Sequence, residues 1–413
     1  MEITRNYYLQ QLINRKNDGM VKVITGIRRC GKSYLLDPLF RNYLLSEHVP
    51  ADHIIKIEFD RAINKKYHND AALLEQDILA LISNGEPYYL ILDEIQLVKD
   101  FEFVVSGLLH EPNVDIYITG SNSKFLSSDI ITEFRGRGEQ IHVQPLSFSE
   151  FCTVATGDKA KALHEYLTYG GMPLTLAKKT AQDKAGYLKN LFEQTYVRDI
   201  TERHNIKRVD VMDTLINILS SSVGSLTNPQ NIYDTFKSKG EKEVSLNTIV
   251  SYLAYIEDAF IVKKAMRYDI KGRKYINTPQ KYYFADLGLR NARLNFRQQE
   301  ESHLMENAIY NELVMRGYNV DVGVVGIRKG DKRTQTEVDF VCNLAEHRYY
   351  IQSALHMDTR EKTVQESRSL NHIPDNFKKM IIVKDCTMPW ITEDGIFVVG
   401  VIDFLLNRAL LEA

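Results

Sequence analysis

The sequence has few cysteines and no long apolar run. Its four cysteines, Cys30, Cys152, Cys342 and Cys386, are scattered over 413 residues without a C-x-x-C pair. This spacing argues against a zinc site and a disulfide framework, and it fits a reducing cytosol. The N-terminal stretch MEITRNYYLQQ has no apolar signal segment, and the longest apolar stretch, GIFVVGVIDFLL, is too short to span a bilayer. We therefore expect a cytoplasmic protein without a membrane partner.

The sequence also lacks an excess of charge of either sign. It contains 52 Lys and Arg residues against 54 Asp and Glu residues, which gives a net charge of −2. Net charge therefore does not indicate a binding partner. A composition of 44% apolar and 26% charged residues is ordinary for a globular protein. The length is too great for one core and suggests two or three domains.

The first part of the chain alternates between strand-like and helix-like patterns. Short apolar, β-branched runs are separated by segments with helical spacing, such as YLLDPLFRNYLL and AALLEQDILALI; the runs are VKVIT, HIIKIEF, YYLILD, VDIYIT and QIHVQ. Strands that alternate with helices favour a parallel sheet covered by helices on both faces. We place this α/β domain at residues 1–150.

The rest of the chain divides into a helical part and a second α/β part. Residues 151–298 are mainly helical, and SLNTIVSYLAYIEDAFIV predicts an amphipathic helix with a partial capping signal at Ser245 and Thr248. KKAMRYDI, KGRK and KYYFAD then predict two strands joined by a turn, as in the wing of a winged helix. Residues 299–413 combine a helix, HLMENAIYNELVMRG, with the predicted strands YNVDVGVVG, TEVDFVCN and RYYIQSAL.

A glycine-rich loop follows the first strand. It matches the G-x-x-x-x-G-K-S spacing of a phosphate-binding loop and is followed by a predicted helix; its residues are Gly26, Ile27, Arg28, Arg29, Cys30, Gly31, Lys32 and Ser33, with Tyr34 next. In such a loop the backbone N–H groups surround a phosphate, the lysine contacts the β- and γ-phosphates, and the serine hydroxyl ligates Mg²⁺. The two arginines are expected to form outward salt bridges. The alternative is a chance glycine-rich turn, but the strand before it and the helix after it favour an ATP site.

A pair of acids ends the predicted strand YYLILD. Asp93 is expected to lie at the end of a strand beside the phosphate-loop strand and to hold Mg²⁺ through water. Glu94 is expected to orient and deprotonate the attacking water. This pair favours hydrolysis over transfer to a hydroxyl substrate. The structural alternative is a helix-capping acid at a strand-to-helix turn.

Two further segments contain candidate catalytic residues. ITGSNS ends the fourth strand, where Asn122 or Ser121 either contacts the γ-phosphate or the water, or simply turns the chain. EFRGRGEQ contains Arg135 and Arg137, which either act on the transition state in a neighbouring subunit, as arginine fingers do, or lie on a solvated turn.

These motifs together resemble the prokaryotic AAA-type ATPases related to the STAND class of signalling NTPases. The resemblance covers nearly the whole chain and includes Gly136-Arg137 followed by PLSFSEF, YGGMP with Gly171 and Pro173, and Tyr196, Arg198, Asp199 and Ile200 in Y-x-RDI. It implies an ATPase domain, a helical lid with a winged helix, and a C-terminal domain of unknown function with a restriction-endonuclease-like core. It also implies a proline beside the adenine and a ring or paired assembly of several copies.

The C-terminal part has an incomplete set of nuclease residues. A nuclease core of this type needs an acid on a helix, an acid on a strand, and an acid-x-lysine on the next strand. Glu306 and Asp339 fit the first two positions, and Glu337 shares a strand face with Asp339, but Gln352 and Ala354 occupy the third. We interpret this as a degenerate nuclease retained for binding, unless a displaced lysine such as Lys362 or Lys384 restores activity. The structural alternatives are that Glu306 is an acid on a helix surface and that Asp339 caps the end of a strand.

Residues 263–297 form a local basic segment. They include ten Lys or Arg residues against two acids, with interleaved aromatic residues. Such a segment either follows nucleic-acid phosphates, or combines core aromatics with solvated charges, or meets an acidic protein. Our leading hypothesis is a Mg²⁺-dependent AAA-type ATPase whose nucleotide state controls how the later domains engage a partner, with DNA as a candidate. The alternatives are a non-hydrolysing ATP-binding switch or scaffold and an ATP-regulated nuclease.

Overall fold

A computed structural model describes residues 3–120, 134, 136–238, 244–297, 300–329 and 332–411, with the side chains of 328–333 excepted. The chain divides into two compact units, Met1–Pro145 and Leu146–Ala413. The division into three domains at residues 150 and 298 stays a prediction.

The strands and helices of the described residues have the following bounds. The strands are β1 Val21–Thr25, β2 Ile54–Glu58, β3 Tyr88–Asp93, β4 Val114–Thr119, β5 Gly138–His142, β6 Val262–Asp269, β7 Lys274–Phe284, β8 Asn319–Lys329, β9 Lys332–Leu344, β10 His347–Ala354, β11 Lys378–Val383, β12 Trp390–Ile391 and β13 Phe397–Gly400. The α-helices are α1 Asn6–Asn14, α2 Lys32–Tyr34, α3 Arg41–Ser46, α4 Ala71–Leu81, α5 Phe101–Leu108, α6 Phe148–Cys152, α7 Lys159–Tyr169, α8 Ala181–Leu191, α9 Arg198–Arg203, α10 Val209–Ser221, α11 Pro229–Ser238, α12 Leu246–Asp258, α13 Leu287–Arg293, α14 Glu301–Met315, α15 Arg360–Asn371 and α16 Val401–Leu406. Shorter 3-10 turns are Ala51–His53, Ala62–Tyr67, Ile95–Leu97, Pro173–Thr175 and Arg408–Leu410, and π-helical turns are Leu35–Phe40 and Phe192–Val197. Within the described ranges, no helix has the length and apolar character needed to cross a membrane.

The first unit contains a five-stranded parallel sheet with the order β2-β3-β4-β1-β5. Each of the five predicted apolar runs forms one of these strands. Parallel strands place their carboxyl ends at one edge, so the residues after β1, β3 and β4 lie close together. This common edge positions the phosphate loop and the two acids.

Helices cover both faces of this sheet. On one face, Val23 and Leu90 belong to a buried cluster that also includes Leu74 of α4 and Val104 of α5. On the other face, the ring of Phe40 lies 4.7 Å from that of Tyr117 on β4. The apolar strands are therefore buried on both sides, as expected for a parallel sheet.

The helix after the phosphate loop is interrupted, which the sequence pattern did not predict. Asp37 has non-helical backbone angles (φ −145°, ψ 112°) within the Leu35–Phe40 turn, and Pro38 follows it. A residue before proline is pushed out of the helical region because the proline ring contacts its backbone. The predicted helix YLLDPLFRNYLL is therefore divided into short segments.

The second unit begins with helices and ends with an eight-stranded mixed sheet. The predicted amphipathic helix forms α12, and the Ser245 hydroxyl accepts a hydrogen bond from Thr248 N–H at its start. The sheet has the order β12-β13-β11-β10-β9-β8-β6-β7. Because β6 pairs in parallel with β8, the β6–β7 hairpin belongs to this sheet and is not a free two-stranded wing. Strand pairing therefore crosses the predicted boundary at residue 298.

Helices also cover both faces of the second sheet. On one face, Tyr350 and Val398 pack in a cluster with Leu370 of α15. On the other, Tyr310 of α14 stacks on Tyr283 of β7 with ring centroids 4.1 Å apart. Helix α14 therefore lies against the hairpin as well as the strands that follow it.

Candidate functional site

The phosphate loop lies at the carboxyl end of β1, between the strand and α2. The buried Lys32 ammonium donates to the backbone oxygens of Gly26 (3.0 Å) and Ile27 (3.1 Å) within the loop. Gly26 has φ +138°, and an added Cβ would lie 2.1 Å from the Val143 oxygen, so a larger residue does not fit. Gly31 has φ +104° immediately before α2. The loop thus depends on glycine where its sequence motif requires it.

The other loop residues face different surroundings. Ile27 and Cys30 are buried, and the Cys30 thiol donates to the Val143 oxygen at 3.2 Å. Arg28 and Tyr34 are half-buried, and Arg29 is exposed. Arg29 also has a positive φ of 62°.

Asp93 and Ser33 meet at the carboxyl edge of the sheet. The Ser33 hydroxyl donates to the Asp93 carboxylate at 3.1 Å. Contrary to the sequence-based expectation, the strand that ends in Asp93 is not beside the phosphate-loop strand, because β4 lies between them. Thr119, at the end of β4, occupies this intermediate position and also donates to the Asp93 carboxylate. Burial raises the pKa of Asp93, while the hydroxyls of Thr119 and Ser33 oppose the shift.

Glu94 follows directly in a left-handed backbone conformation, with φ 56°. Its N–H donates to the Thr119 hydroxyl at 3.0 Å, and its carboxylate accepts a hydrogen bond from the Gln96 amide. A non-glycine residue at positive φ is uncommon and carries local strain that surrounding contacts must hold. Thr119 therefore fixes the turn that presents both acids.

Sequence reasoning missed two residues of this site, Thr119 and Arg5. Arg5 is 2% exposed, and its guanidinium donates to the oxygen of Cys30 in the phosphate loop (2.9 Å) and to that of Gln144 (2.7 Å). It therefore ties the N-terminal segment to the loop and to the chain after β5. Neither residue belongs to a spaced motif, although Thr119 ends a strand as Asp93 does.

Of the remaining predicted catalytic residues, the structure describes only Arg137. Asn122, Ser121 and Arg135 lie outside the described residues. The backbone oxygen of Arg137 accepts from Val21 N–H, so Arg137 lies at the amino end of β1, opposite the phosphate loop. Five strand residues separate the two ends, which is about 16 Å. Arg137 is therefore not positioned to act on the loop of its own chain.

Pro173 lies in the second unit, where a buried carboxylate holds the turn before it. The Asp286 carboxylate accepts from the N–H groups of Gly171 (2.7 Å) and Leu289 (2.9 Å). Burial raises the pKa of Asp286 to about 6 despite these donors. The expected contact between Pro173 and adenine stays a prediction.

The residues at the carboxyl edge of the first sheet fit Mg²⁺ in their chemistry. Mg²⁺ prefers oxygen ligands and usually binds through one or two carboxylates, phosphates and water. Ser33 and Asp93 supply a hydroxyl and a carboxylate that already contact each other. Among the described residues, the Lys32 ammonium of the same loop is held by neutral carbonyl oxygens and not by a carboxylate.

Comparisons with known proteins agree with this geometry. The family described as "AAA domain" matches residues 18–152, and a "Domain of unknown function (DUF8612)" matches residues 160–300. An uncharacterized protein of Haemophilus influenzae is 35% identical over 412 residues, which is 98% of this chain and 99% of that protein. The chain belongs to its family and carries an AAA domain. The five-stranded unit is thus an AAA-type P-loop domain, the fold of ATP-binding ATPases.

Other relatives are more distant. An uncharacterized protein of Methanocaldococcus jannaschii is 30% identical over 334 residues, covering 78% of this chain and 71% of that protein. Among solved structures, the Aeropyrum pernix ORC1 protein in complex with DNA is 12% identical, with 71% of this chain and 93% of that chain covered and a TM-score of 0.34. AMPPCP-bound DnaA from Aquifex aeolicus is 13% identical, with 62% and 88% covered and a TM-score of 0.29. The AAA assignment depends on the sequence match, since these TM-scores are low.

The second unit contains a buried cluster of carboxylates around one lysine. The Lys281 ammonium, on β7, lies 2.8 Å from Glu306, 2.7 Å from Glu337 and 3.5 Å from Asp339. Lys281 is 3% exposed, and the Tyr283 hydroxyl also donates to Glu306. The three acids predicted as a nuclease centre are thus brought together. Within the described ranges, however, no group of His, Cys, Asp or Glu side chains is arranged to hold a metal ion.

The next strand contacts Asp339 through uncharged groups. Asp339 accepts a hydrogen bond from Ser353 N–H (2.8 Å), and its own N–H donates to the Gln352 side-chain oxygen (3.4 Å). Burial and the neighbouring Glu306 raise the pKa of Asp339 to about 7 although Lys281 opposes the shift. The two lysines that sequence reasoning suggested pair with other acids: Lys362 is 4.0 Å from Glu366, and Lys384 is 3.0 Å from Glu301. The lysine at this cluster is Lys281, which precedes the domain in sequence.

The basic segment 263–297 does not form one continuous surface. Lys281 and Arg290 are buried. Arg293 pairs with Glu193 and Asp213, and Lys264 pairs with Glu257; six cations remain, namely Lys263, Arg267, Lys271, Arg273, Lys274 and Arg297. Three of these six lie together at the turn between β6 and β7.

Proposed function

We propose that this protein is a Mg²⁺-dependent ATPase whose nucleotide state controls how its second unit engages a partner. The observation that carries the proposal is the contact between Ser33 and Asp93, with Glu94 on the next residue. This arrangement supplies a hydroxyl and a carboxylate for the metal and a second carboxylate for water. A domain that only bound nucleotide would not require the second acid.

The residues of this chain have the following roles in the proposed reaction. The loop N–H groups and the Lys32 ammonium bind phosphate oxygens, which replace the carbonyl oxygens that Lys32 contacts here. Ser33 and Asp93 hold Mg²⁺, which when bound neutralises charge on the β- and γ-phosphates. Glu94 orients the attacking water and accepts its proton. Thr119 holds both acids in place through its hydroxyl.

For the second unit, we propose a catalytically degenerate nuclease-like domain after a helical, winged-helix segment whose β6–β7 wing has joined the sheet of that domain. The position of the Lys281 ammonium among three carboxylates supports degeneracy, because a buried cation already occupies the place where a nuclease of this type holds Mg²⁺. The presence of Gln352 and Ala354 in place of an acid and a lysine also supports a loss of nuclease activity. We propose DNA as the partner and assembly of several copies as the context in which Arg137 acts.

One observation favours a second candidate, a non-hydrolysing ATP-binding scaffold. The Glu94 carboxylate accepts a hydrogen bond from Gln96, which engages one of its two oxygens and makes the group a weaker base toward water. If this contact persists with nucleotide bound, it favours ATP binding without efficient turnover.

The deciding experiment measures phosphate release by the purified protein and by Glu94→Gln, each with and without duplex DNA. The proposal predicts turnover that requires Mg²⁺ and disappears in the variant. The matched control is Glu86→Gln, the same change at an exposed acid before β3, and it should keep the wild-type rate. Tight ATP binding without turnover in the wild type would favour the scaffold.

The nuclease-like assignment has its own test. The protein should leave supercoiled plasmid intact with Mg²⁺ or Mn²⁺. Nicking that disappears in Asp339→Ala would show an active nuclease and contradict the degenerate assignment.

A further inference from the structure

A very short strand forms one edge of the eight-stranded sheet. Strand β12, Trp390–Ile391, is the last in the sheet order, and within the described part of the chain it pairs with β13 alone, with Ile391 opposite Phe397. The turn between the two strands is closed by the Thr392 N–H, which donates to the Ile396 oxygen at 2.9 Å. The position of β12 is therefore fixed by a regular hairpin.

The backbone of Ile391 faces the free side of this edge. The peptide between Ile391 and Thr392 is planar, and its N–H points toward β13, so its C=O points away from β13. In a strand, the N–H and C=O of one residue point to the same side, so the Ile391 N–H also points away. Ile391 thus offers one donor and one acceptor to a strand added at this edge.

The side chains at this edge are apolar and exposed. Met388, Trp390 and Ile391 are 75%, 40% and 67% exposed, and Pro389 between them is exposed as well. Trp390 and Ile391 lie on opposite faces of the strand, because successive side chains of a strand alternate. An exposed apolar sheet edge is a place where another chain can pair. Since β12 contains two residues, side-chain contacts must supply much of the binding.

The charges around β12 indicate what kind of chain can pair with it. Residues 385–396 contain no Lys, Arg or His and three acids, namely Asp385, Glu393 and Asp394. Glu393 and Asp394 are exposed in the hairpin turn, and neither forms an ion pair with a cation of the described residues. Lys378, whose ammonium lies 5.7 Å from the ring of Phe397, donates to the Leu410 oxygen. The edge is therefore apolar and flanked by acids.

We propose that the β12 edge binds an extended, basic segment of another protein, which adds a strand to the sheet. The backbone of Ile391 pairs with this segment, and the side chains of Met388 and Trp390 contact its apolar residues. Glu393 and Asp394 attract its lysines or arginines and set its orientation. The inference goes beyond the proposed function, since it requires neither ATP nor DNA.

The same acids disfavour two other occupants of the edge. In a second copy of this chain, antiparallel pairing of two β12 edges would bring three acids from each copy together without a cation, and like charges across strands are destabilising. Acids and a proline at a sheet edge are also devices by which proteins avoid pairing with themselves. A nucleic acid would be repelled, because its backbone is negative.

The test uses Trp390 as its reporter, because the chain contains one tryptophan. Random peptides displayed on phage are selected on the full-length protein, and a selected sequence is synthesised and titrated while the emission of Trp390 is recorded. We expect the selected peptides to alternate apolar and polar residues and to carry net positive charge. Their binding should shift the emission to shorter wavelength, since the indole ring leaves water.

Two variants separate the backbone contribution from the charge contribution. Ile391→Pro removes the N–H at the free edge and no hydrogen bond to β13, and it should weaken peptide binding at least about 10-fold; Ile391→Val, which keeps the N–H, should bind as the wild type does. The double variant Glu393→Gln, Asp394→Asn should bind about 3-fold more weakly or worse at ~100 mM salt and depend less on salt. Its matched control is Glu346→Gln, Glu361→Gln, at two exposed acids of the same unit.

Three outcomes would overturn the inference. Selected peptides that carry net negative charge, or that bind Ile391→Pro as tightly as the wild type, would show that no basic strand is added at β12. Wild-type dimers in sedimentation that Ile391→Pro dissociates would assign the edge to a second copy of the chain. A selection that yields no peptide able to change the emission of Trp390 would show that the edge does not bind extended segments.

Discussion

The substitution Lys281→Met tests the carboxylate cluster of the second unit. It removes an ammonium that lies within 3.5 Å of three carboxylates and replaces it with an uncharged side chain of similar length. Removing one partner of a buried ion pair typically destabilises a protein by about 3–5 kcal/mol, because the other charge stays buried without compensation. For a unit of this size, each kcal/mol lowers the melting temperature by roughly 2–4 °C. We therefore expect a decrease of about 6–20 °C in the transition of the second unit.

The loss of stability in the Lys281→Met variant should depend on pH. In the wild type, the pKa of Asp339 is raised to about 7, above its unfolded value, so the folded state takes up a proton more readily than the unfolded state. Lys281 opposes this shift, so without the ammonium Asp339 becomes still harder to ionise, and its protonation relieves the penalty. The variant should therefore differ most from the wild type near pH 8 and least near pH 5.

The assay is thermal unfolding followed by circular dichroism across this pH range, with Lys264→Met as the control. Lys264 lies on the same hairpin and pairs with Glu257 at 3.2 Å, but it is about half exposed, so the change should cost less than about 1 kcal/mol. The double variant Lys281→Met, Glu306→Gln should recover part of the lost stability. A single variant as stable as the wild type at pH 8, or a deficit independent of pH, would refute the reasoning.

Three further predictions concern other residues. Arg5→Gln should lower the stability of the AAA domain by about 2–3 kcal/mol and weaken nucleotide binding, because two backbone oxygens lose a charged donor; a fluorescent ATP analogue and urea unfolding measure both. Gly26→Ala should abolish binding of the same analogue, because its Cβ would lie 2.1 Å from the Val143 oxygen, whereas Gly19→Ala, also at positive φ but with open space around it, should bind normally. Asp286→Asn should remove a component of stability that the wild type gains as pH falls from about 7 to about 4, since burial raises the pKa of this acid to about 6 in the folded protein, above its unfolded value; denaturation midpoints across pH would show whether that component persists.

The sequence predicted the P-loop unit well because its signals are local. Each strand is an apolar run bounded by polar residues, and the spacing from Gly26 to Ser33 is a motif whose chemistry requires those residues. The order of the strands was not readable in this way, so Asp93 was expected beside the phosphate-loop strand. Sheet order depends on packing across the whole unit, and β4 lies between them.

The residues that sequence reasoning missed contact partners that are far away in the sequence. Arg5 contacts the oxygen of Gln144, 139 positions away, and Lys281 contacts Glu306 and Glu337 from a hairpin expected to be a separate wing. A lone arginine or lysine has no spacing pattern, so only the fold shows what it contacts. The predicted replacement lysines, Lys362 and Lys384, follow Glu306 and Asp339 in sequence, whereas Lys281 lies on a strand that precedes both acids.

The most direct test of the central claim measures bound nucleotide and released phosphate in one sample, for the wild type and for Glu94→Gln. We predict that both proteins bind ATP, and that only the wild type releases phosphate, in a reaction that an excess of chelator stops. A wild type that binds ATP and releases no phosphate, or a Glu94→Gln variant that turns over at the wild-type rate, would contradict the assignment of this site as a hydrolytic one.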